Sequence, residues 1–455
     1  MIEIELNDTI CAISTPAGVG GIAVIRISGP QAIEITDSLW KGRSLAGAAS
    51  HTVHYGSILD RSGAIIDDCV ATVFRGPKSF TGDDVVELSV HGSVYVQKAA
   101  VKTLVDAGAR LAERGEFTRR AFAAGKMDLA QAEGVADLIA SRSRAAHDIA
   151  IRQMKGGFSE RLQMLHDSLL ELASLLELEL DFSEEDVEFA SRRKLLEQAQ
   201  DLRGEITRMA SSFDSGNAIK EGIPVAIVGP TNVGKSSLLN AIVGDDRAIV
   251  SDIHGTTRDL IEDTVNIGDF TFRFIDTAGI RDTSDTIEKL GIDRSRQAIG
   301  RATILLQVID AANPQKSEYL QNITDSQHLV AVINKTDVAP SDEAKTMVCG
   351  AEAVVEVSAK THHGIDTLRH ALTEIAQTLL AGNGDIIVTN ARHYQALVDA
   401  LVPLQRVIDG LTANLSGDFI AQDLREVLHH LGSITGTVTT TEILTTIFTR
   451  FCIGK

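Results

Sequence analysis

The chain has 455 residues, with 43 Lys and Arg against 62 Asp and Glu, for a formal net charge of −19. That balance excludes a surface coated for nonspecific nucleic-acid binding, although it leaves room for a local basic site. Aromatic residues at 4% exclude a surface of base-stacking platforms. Hydrophobic residues at 44% and charged residues at 23% are ordinary globular composition, and the length predicts roughly three domains. Cys11, Cys69, Cys349 and Cys452 are scattered, with no Cys-x-x-Cys pair. They point to free thiols in a reducing compartment rather than to disulfides or a zinc site. Residues 1–6 lack the charge and apolar core of a signal peptide, and no apolar run has the length of a membrane span. A cytoplasmic protein without a membrane partner is expected.

In chain order, residues 1–120 read as mixed strands and helices. The run 22–27 is strand-like and is punctuated by Gly20-Gly21 and Gly29-Pro30. Runs 71–74 and 85–90 are further strands, and 31–39 and 94–107 carry helical spacing. Strands and helices do not alternate regularly, which predicts an α+β domain. Residues 121–217 turn to long helices. Leu162, Leu165, Leu169, Leu172, Leu175, Leu176 and Leu180 form a wide apolar stripe. Glu184-Glu185-Asp186 reads as a solvated helix start or loop rather than a metal site.

Residues 218–382 return to alternating strands and helices, and 383–455 are again helical over 391–411, 419–431 and 441–451, with a turn cluster at 433–440. The fold class is therefore a multidomain α/β chain. It has an α+β N-terminal domain (1–120), an all-α helical domain in two pieces (121–217 and 383–455) and a nucleotide domain (218–382) inserted between them. The two helical pieces would pack their stripes into one bundle, through which movement of the inserted domain could be transmitted.

The chemistry centres on Gly229-Pro230-Thr231-Asn232-Val233-Gly234-Lys235-Ser236-Ser237, which follows the apolar run 225–228 and precedes the helix-like run 238–242. Strand, glycine-rich loop and helix are the context of a phosphate-binding loop. Backbone N–H groups of the loop and helix start point at phosphates, reinforced by the helix dipole. Lys235 neutralises β- and γ-phosphate charge, and the Ser236 hydroxyl holds Mg²⁺.

Four more segments follow in order. Gly255-Thr256-Thr257-Arg258-Asp259 is a switch loop whose Thr257 completes the Mg²⁺ shell. In Asp276-Thr277-Ala278-Gly279, Asp276 binds Mg²⁺ and the Gly279 N–H faces the γ-phosphate. Asn334-Lys335-Thr336-Asp337 ends an apolar strand, and its Asp337 carboxylate accepts from N1–H and the 2-amino group of guanine. Adenine lacks that donor pair, and an unsatisfied carboxylate costs about 1–3 kcal/mol. Ser358-Ala359-Lys360 supplies backbone to guanine O6. Five motifs in this order identify a GTPase, and Asn334–Asp337 excludes an ATPase. After Gly279 comes Ile280, where a Ras-type enzyme carries the water-positioning Gln. Another residue in the acidic segment 282–293 must take that role. Asn232 has two readings: an amide oxygen for a monovalent cation beside the phosphates, in the electrostatic role of an arginine finger, or a loop cap.

The chain resembles the MnmE (TrmE) family of tRNA-modification GTPases along its whole length. The resemblance is carried by residues 20–29 (GGIAVIRISG), 79–84 (SFTGDD), 115–122 (GEFTRRAF), 128–133 (DLAQAE) and the terminus Phe451-Cys452-Ile453-Gly454-Lys455. It implies a Ras-like GTPase domain and a homodimer made by the N-terminal domain. It also implies a flavoprotein partner, MnmG (GidA), in a heterotetramer or larger complex. The implied reaction places an aminomethyl or carboxymethylaminomethyl group on carbon 5 of the wobble uridine of certain tRNAs. The one-carbon donor is a tetrahydrofolate derivative, 5-formyl or 5,10-methylene.

By motif position Arg26, Glu87, Lys126 and Lys455 match the family's folate contacts. Cations suit glutamyl carboxylates, and a carboxylate suits pterin N–H groups. Alternatives are a surface strand charge for Arg26 and a structural ion pair for Glu87. The resemblance assigns water orientation to Glu288. It places K⁺ among Asn232, Ser251, Ile253 and Thr256, where Ser251 departs from the family if Thr is usual there. Cys452 is either a nucleophile in uridine chemistry or a partly buried spare thiol. Arg110, Arg114, Arg119, Arg120, Arg142, Arg144 and Arg152 read as helix-surface charges paired with neighbouring acids before they read as tRNA contacts. The alternative function is a ribosome-assembly or RNA-particle switch with no modification chemistry.

Overall fold

The structure is a computed structural model and describes residues 7–181, 192–244, 263–275, 297–315, 323–324, 327–381, 386–449 and 451–454. Contacts divide the chain into two units, Met1–Ala136 with Arg152–Ser174 and Arg425–Lys455, and Asp137–Ile151 with Leu175–Leu424. The elements run β1 (Ile10–Ile13), β2 (Ile22–Ser28), α1 (Ala32–Ser38), β3 (Trp40–Gly42), β4 (Thr52–Leu59), β5 (Ile65–Phe74), β6 (Val85–His91), α2 (Val94–Asp106), β7 (Arg110–Leu111) and α3 (Glu116–Ala123). Helices α4 (Leu129–Ala140), α5 (Arg144–Met154), α6 (Gly157–Asp181), α7 (Arg192–Ser211) and α8 (Phe213–Glu221) follow. Then come β8 (Ile223–Val228), α9 (Lys235–Val243), β9 (Asp263–Ile267), β10 (Phe270–Phe274), β11 (Ile304–Asp310) and β12 (His328–Asn334). The chain continues with α10 (Asp342–Lys345), β13 (Ala353–Glu356), α11 (Ile365–Ala381), α12 (Ala391–Thr412), α13 (Gly417–Thr435) and α14 (Thr441–Phe448).

In the first unit, period-two burial on β2 and β6 builds a sheet with one covered face. Ala23, Ile25 and Ile27 stand opposite Val90, Leu88 and Val86. All six join a core closed by Ala32, Ile33 and Ile35 of α1 and Ala100 and Leu104 of α2. The intervening positions turn the other way, so Arg26 stands directly opposite Glu87. The sheet order is β3-β4-β5-β6-β2-β1-β7, antiparallel except for the β1–β7 pair. Strands β1, β3, β4 and β7 were not among the expected elements.

The C-terminal segment belongs to this unit. Leu444, Ile447, Phe448 and Phe451 pack on Leu129 and Ala132 of α4. The expected turn at 433–440 begins later, because α13 continues through Thr435. Its Ser433 hydroxyl donates to the His430 carbonyl at 2.7 Å, a back-bond that keeps a polar residue inside the helix. The last helix stops at Phe448 rather than at 451.

Helix α3 is fixed by buried charge. Glu116 and Arg120 have side chains 0% and 1% exposed and meet at 3.1 Å. Arg110 donates to Glu116 at 2.6 Å, and the Glu113 backbone N–H donates at 2.7 Å. Arg120 also reaches the Asp8 carboxylate at 2.6 Å and its carbonyl at 2.7 Å. The reading of Arg120 as a surface charge is therefore corrected: it is an interior clamp. Burial alone would raise the Glu116 pKa, but the bonds from Arg110, Glu113 and Arg120 outweigh it and hold the carboxyl below its ordinary value.

In the second unit the sheet order is β13-β12-β11-β8-β10-β9, parallel apart from the β9–β10 hairpin. The chain enters this sheet from α8 and leaves it toward Val388, whose N–H donates to the Ser212 hydroxyl at 2.9 Å. Entry and exit are thus adjacent, as an inserted domain requires. Helices α7 and α12, which flank the insertion, pack together, and each has a buried set, Leu195, Ala199, Leu202 and Ile206 on α7 and Leu397, Ala400, Leu404 and Val407 on α12. Helix spacings of three and four put each set on one face. Among the described residues, no helix is long and apolar enough to cross a membrane.

Removing Glu116 takes one buried acceptor from three donors at once, the Arg110 and Arg120 guanidinium groups and the Glu113 N–H. Glu116→Ala is expected to lower stability by about 3 kcal/mol, read as a lower urea midpoint of the full chain. Because the folded-state pKa values of Glu116 and Asp8 are depressed, their contribution is complete above the ordinary carboxylate range. It is lost as pH falls through the depressed values, and the variant's acid unfolding should be correspondingly flatter.

Candidate nucleotide site

Strands β8, β11, β12 and β13 are parallel, and their carboxyl ends lie side by side. Gln307 pairs with Val228 and Asp310 with Asn334, while Ile333 pairs with Glu356. Ligands of open parallel sheets bind outside this edge, where the chain leaves in both directions from one strand. Here that strand is β8, flanked by β10 and β11.

The loop after β8 is anchored by Val233, 5% exposed within the sheet core. Gly234 has φ 93°, in the left-handed region, and caps α9, which starts at Lys235. A Cβ on Gly234 would stand 2.3 Å from the Asn334 amide nitrogen, so conformation and space both require glycine. The first-turn N–H groups of α9 lack intrahelical acceptors, which makes the helix start an anion site. Lys235 donates to the Gly229 and Pro230 carbonyls at 2.8 and 2.7 Å. Burial lowers its pKa, and an arriving phosphate would supply the counter-charge that reverses the shift.

On the base side, Asn334 is 2% exposed. It donates to the Val233 carbonyl at 2.9 Å and accepts from the Ala359 N–H at 3.0 Å. Lys335 donates to the Asn232 carbonyl at 2.8 Å. The Thr336 hydroxyl donates to the Val357 carbonyl at 3.0 Å. Asp337 is exposed, and one of its oxygens accepts from the Ser358 hydroxyl at 2.7 Å. That bond orients a carboxylate that keeps acceptor capacity for two N–H groups on one edge of a ring. Lys360 is exposed beside it.

The structure therefore brings together Asn232, Val233, Gly234, Lys235, Asn334, Lys335, Asp337, Ser358 and Ala359. Ser236 and Ser237 sit in the first turn of α9. Ser251, Ile253, Thr256, Thr257, Asp276, Thr277, Ala278, Gly279, Glu288 and Lys455 lie outside the described residues. Asp310 was missed. It reaches Lys335 from 25 positions away in sequence, and only the strand register could have pointed to it.

The hairpin β9–β10 lies in sequence between the Thr257 and Asp276 motifs. The Ala145 N–H donates to the Asp269 carbonyl at 3.0 Å, and the Asn266 amide donates to the Arg142 carbonyl at 3.0 Å. The Lys220–Asp137 ion pair at 2.8 Å stands nearby. It borders an open cavity of about 210 Å³ also lined by Arg142, Thr264 and Thr271.

In the N-terminal unit Arg26 and Glu87 pair at 2.8 Å, and the Arg26 guanidinium lies 5.5 Å from the ring centres of Phe80 and Phe117. Lys126 donates to the Pro77 carbonyl at 2.7 Å, so the loop holding Pro77 and Phe80 links it to Arg26. The tail is laid against β1. The Ser14 hydroxyl donates to the Gly454 carbonyl at 3.0 Å, and Ile453 bridges Arg114. Gly454 has φ 96°, and a Cβ there would stand 2.3 Å from the Ile13 carbonyl. Cys452 beside it is exposed.

The parallel sheet, with the glycine-rich loop after β8 and Asn334–Asp337 at its carboxyl edge, has the architecture of a P-loop GTP-binding protein with an inserted G domain. Two family models match in succession along the chain: the "GTP-binding protein TrmE N-terminus" over residues 9–126 and the "MnmE helical domain" over residues 129–452, a span that includes the G domain. The tRNA modification GTPase MnmE of Parabacteroides distasonis is 50% identical over 459 residues, covering 98% of this chain and 100% of that protein. The protein of the same name from Christiangramia forsetii is 47% identical over 474 residues, covering 99% and 100%. The chain belongs to the MnmE family of tRNA modification GTPases. The solved G domain of the T. maritima FeoB iron transporter is 27% identical, covering 34% of this chain and 99% of that chain, at a TM-score of 0.25.

Asp337→Asn replaces one acceptor with a donor. It is expected to weaken GDP about hundredfold and to favour xanthosine diphosphate. Competition against a fluorescent nucleotide measures this, and retained guanine preference would contradict the base assignment.

Proposed function

We propose that this chain hydrolyses GTP at the β8–α9 loop to drive modification of carbon 5 of the wobble uridine of certain tRNAs. It would add an aminomethyl or carboxymethylaminomethyl group together with a flavoprotein partner, MnmG (GidA). The observation that carries this reading is the joint base-and-phosphate cradle, on a chain whose N-terminal sheet also holds Arg26, Glu87 and the docked tail.

Each group has a stated role. Lys235 and the N–H groups of the helix start hold the phosphates, and the Asp337 carboxylate, oriented by Ser358, reads the guanine edge. Ser236, Thr257 and Asp276 are the residues that would hold Mg²⁺, whose chemistry is neutralisation of phosphate charge. Asn232 is exposed at φ 64° at the phosphate loop. That placement suits an amide oxygen offered to K⁺, with Ser251, Ile253 and Thr256 as further donors. Glu288 orients the attacking water in place of the Gln that Ile280 replaces. Asp337, Asn334 and Lys335 take no part in the chemical step; they set which nucleotide arrives there.

Hydrolysis reaches the rest of the unit through the β9–β10 hairpin. A displacement of either flanking switch moves Asn266 and Asp269, which are bonded to residues 142 and 145 at the α4–α5 corner. In the N-terminal unit the Arg26–Glu87 pair opens to serve a tetrahydrofolate derivative, 5-formyl or 5,10-methylene. Its carboxylates go to Arg26, Lys126 and Lys455, and its pterin N–H groups go to Glu87. That domain also makes the homodimer. The exposure of Cys452 on an anchored backbone favours a nucleophilic thiol over a spare buried one.

Nucleoside analysis of bulk tRNA from cells lacking the chain tests the proposal. C5-modified wobble uridines should disappear, return with the wild-type chain and stay absent with Lys235→Ala. Unchanged wobble uridines with accumulating ribosome precursors would support an assembly switch instead.

A further inference from the structure

Two successive carbonyls of the phosphate loop are held by two successive side chains of the base motif. Asn334 donates to Val233 at 2.9 Å and Lys335 to Asn232 at 2.8 Å. Each of those side chains needs a brace on its far side. For Asn334 the brace is the Ala359 N–H at 3.0 Å. For Lys335 it is Asp310, which ends β11 in register with Asn334.

The Asp310 carboxylate is 12% exposed and held from two directions. Oδ1 accepts from the Ala312 N–H at 2.9 Å, and Oδ2 accepts from the Lys335 ammonium at 2.6 Å. A lysine side chain has a flexible four-carbon stem and a freely rotating ammonium, so nothing intrinsic to it selects one carbonyl. The fixed carboxylate supplies that selection. The held carbonyl is that of Asn232, whose φ of 64° is uncommon for a residue with a side chain. The direction of the Asn232 amide depends on that backbone conformation.

We infer that Asp310 is a positioning residue for nucleotide and cation: it holds Lys335 on the Asn232 carbonyl and so sets the Asn232 amide at the phosphate end of the site. The inference rests on the nucleotide site proposed above. Asp310 touches neither nucleotide nor cation. Its effect passes through Lys335, which connects base recognition to the response to a monovalent cation.

The test uses the full-length protein, with a fluorescent GDP for affinity and a K⁺ titration of GTP hydrolysis. Asp310→Ala should weaken GDP binding about tenfold and raise the K⁺ concentration for half-activation. It should leave the preference for GDP over xanthosine diphosphate intact, because the Asp337–Ser358 contact is untouched. Asp310→Asn keeps an acceptor of the same shape, should recover part of both effects, and carries the test if the alanine variant does not fold. Lys335→Met should weaken GDP by itself, and adding Asp310→Ala to it should cost little more, since both act through one contact.

Wild-type affinity and K⁺ response in Asp310→Ala would overturn the inference, and so would effects of the two substitutions that multiply in full. A wild-type chain that binds no GDP would instead overturn the site itself, an outcome distinct from a silent variant on a nucleotide-binding protein.

Discussion

Asn334 is a buried carboxamide whose two ends are both spent. Its nitrogen is on the Val233 carbonyl of the phosphate loop, and its oxygen is on the Ala359 N–H of the base-side loop. Those loops come from strands on opposite sides of the site, so this one side chain fixes the distance between the β8–α9 loop and the loop after β13, the proposed phosphate and base ends of the site. Gly234 is part of the same constraint, because the amide occupies the space a Cβ would need. Buried polar groups of this kind cost little while satisfied and about 1–3 kcal/mol each when stranded. The arrangement therefore tolerates few alternatives.

From that fixed span the rest of the G domain takes its meaning. Parallel strands with Val228, Asp310, Asn334 and Glu356 at their ends form a rigid floor. The proposed binding groups stand on its edge, and the β9–β10 hairpin lies in sequence between the Thr257 and Asp276 motifs. The hairpin accepts from the Ala145 N–H and donates to the Arg142 carbonyl, which ties it to the α4–α5 corner. The packing of α7 on α12, with entry and exit joined at Ser212 and Val388, explains how a domain can be inserted without breaking the helical layer around it.

Much of this was legible in the sequence, and for a physical reason. The phosphate loop, Asn334–Asp337 and Ser358–Ala359 are short, contiguous and bounded by apolar strands, so local pattern suffices to place them. The α+β character of the N-terminal region and the insertion of the G domain were legible as changes of periodicity. Strand β4 was not, because Val53 and Tyr55 are exposed while its buried stretch starts at Gly56, so the alternation that marks a strand is broken midway. Arg120 was misread because charge pattern alone cannot show that Glu116 and Asp8 will enclose a guanidinium. The docking of the tail on β1 and the Asp310–Lys335 bond are contacts between distant positions, which only the folded chain reveals. The helical stretch 433–435 was missed because Ser and Thr read as turn formers until their hydroxyls find a carbonyl within the helix.

The most direct measurement is a calorimetric titration of GDP into Asn334→Ala beside the wild-type chain. If Asn334 sets the span between phosphate and base, affinity should fall about hundredfold, since the Val233 carbonyl and the Ala359 N–H both lose their partner. Wild-type affinity in a folded Asn334→Ala protein would show that the two halves of the site hold their spacing without it, and would contradict the account.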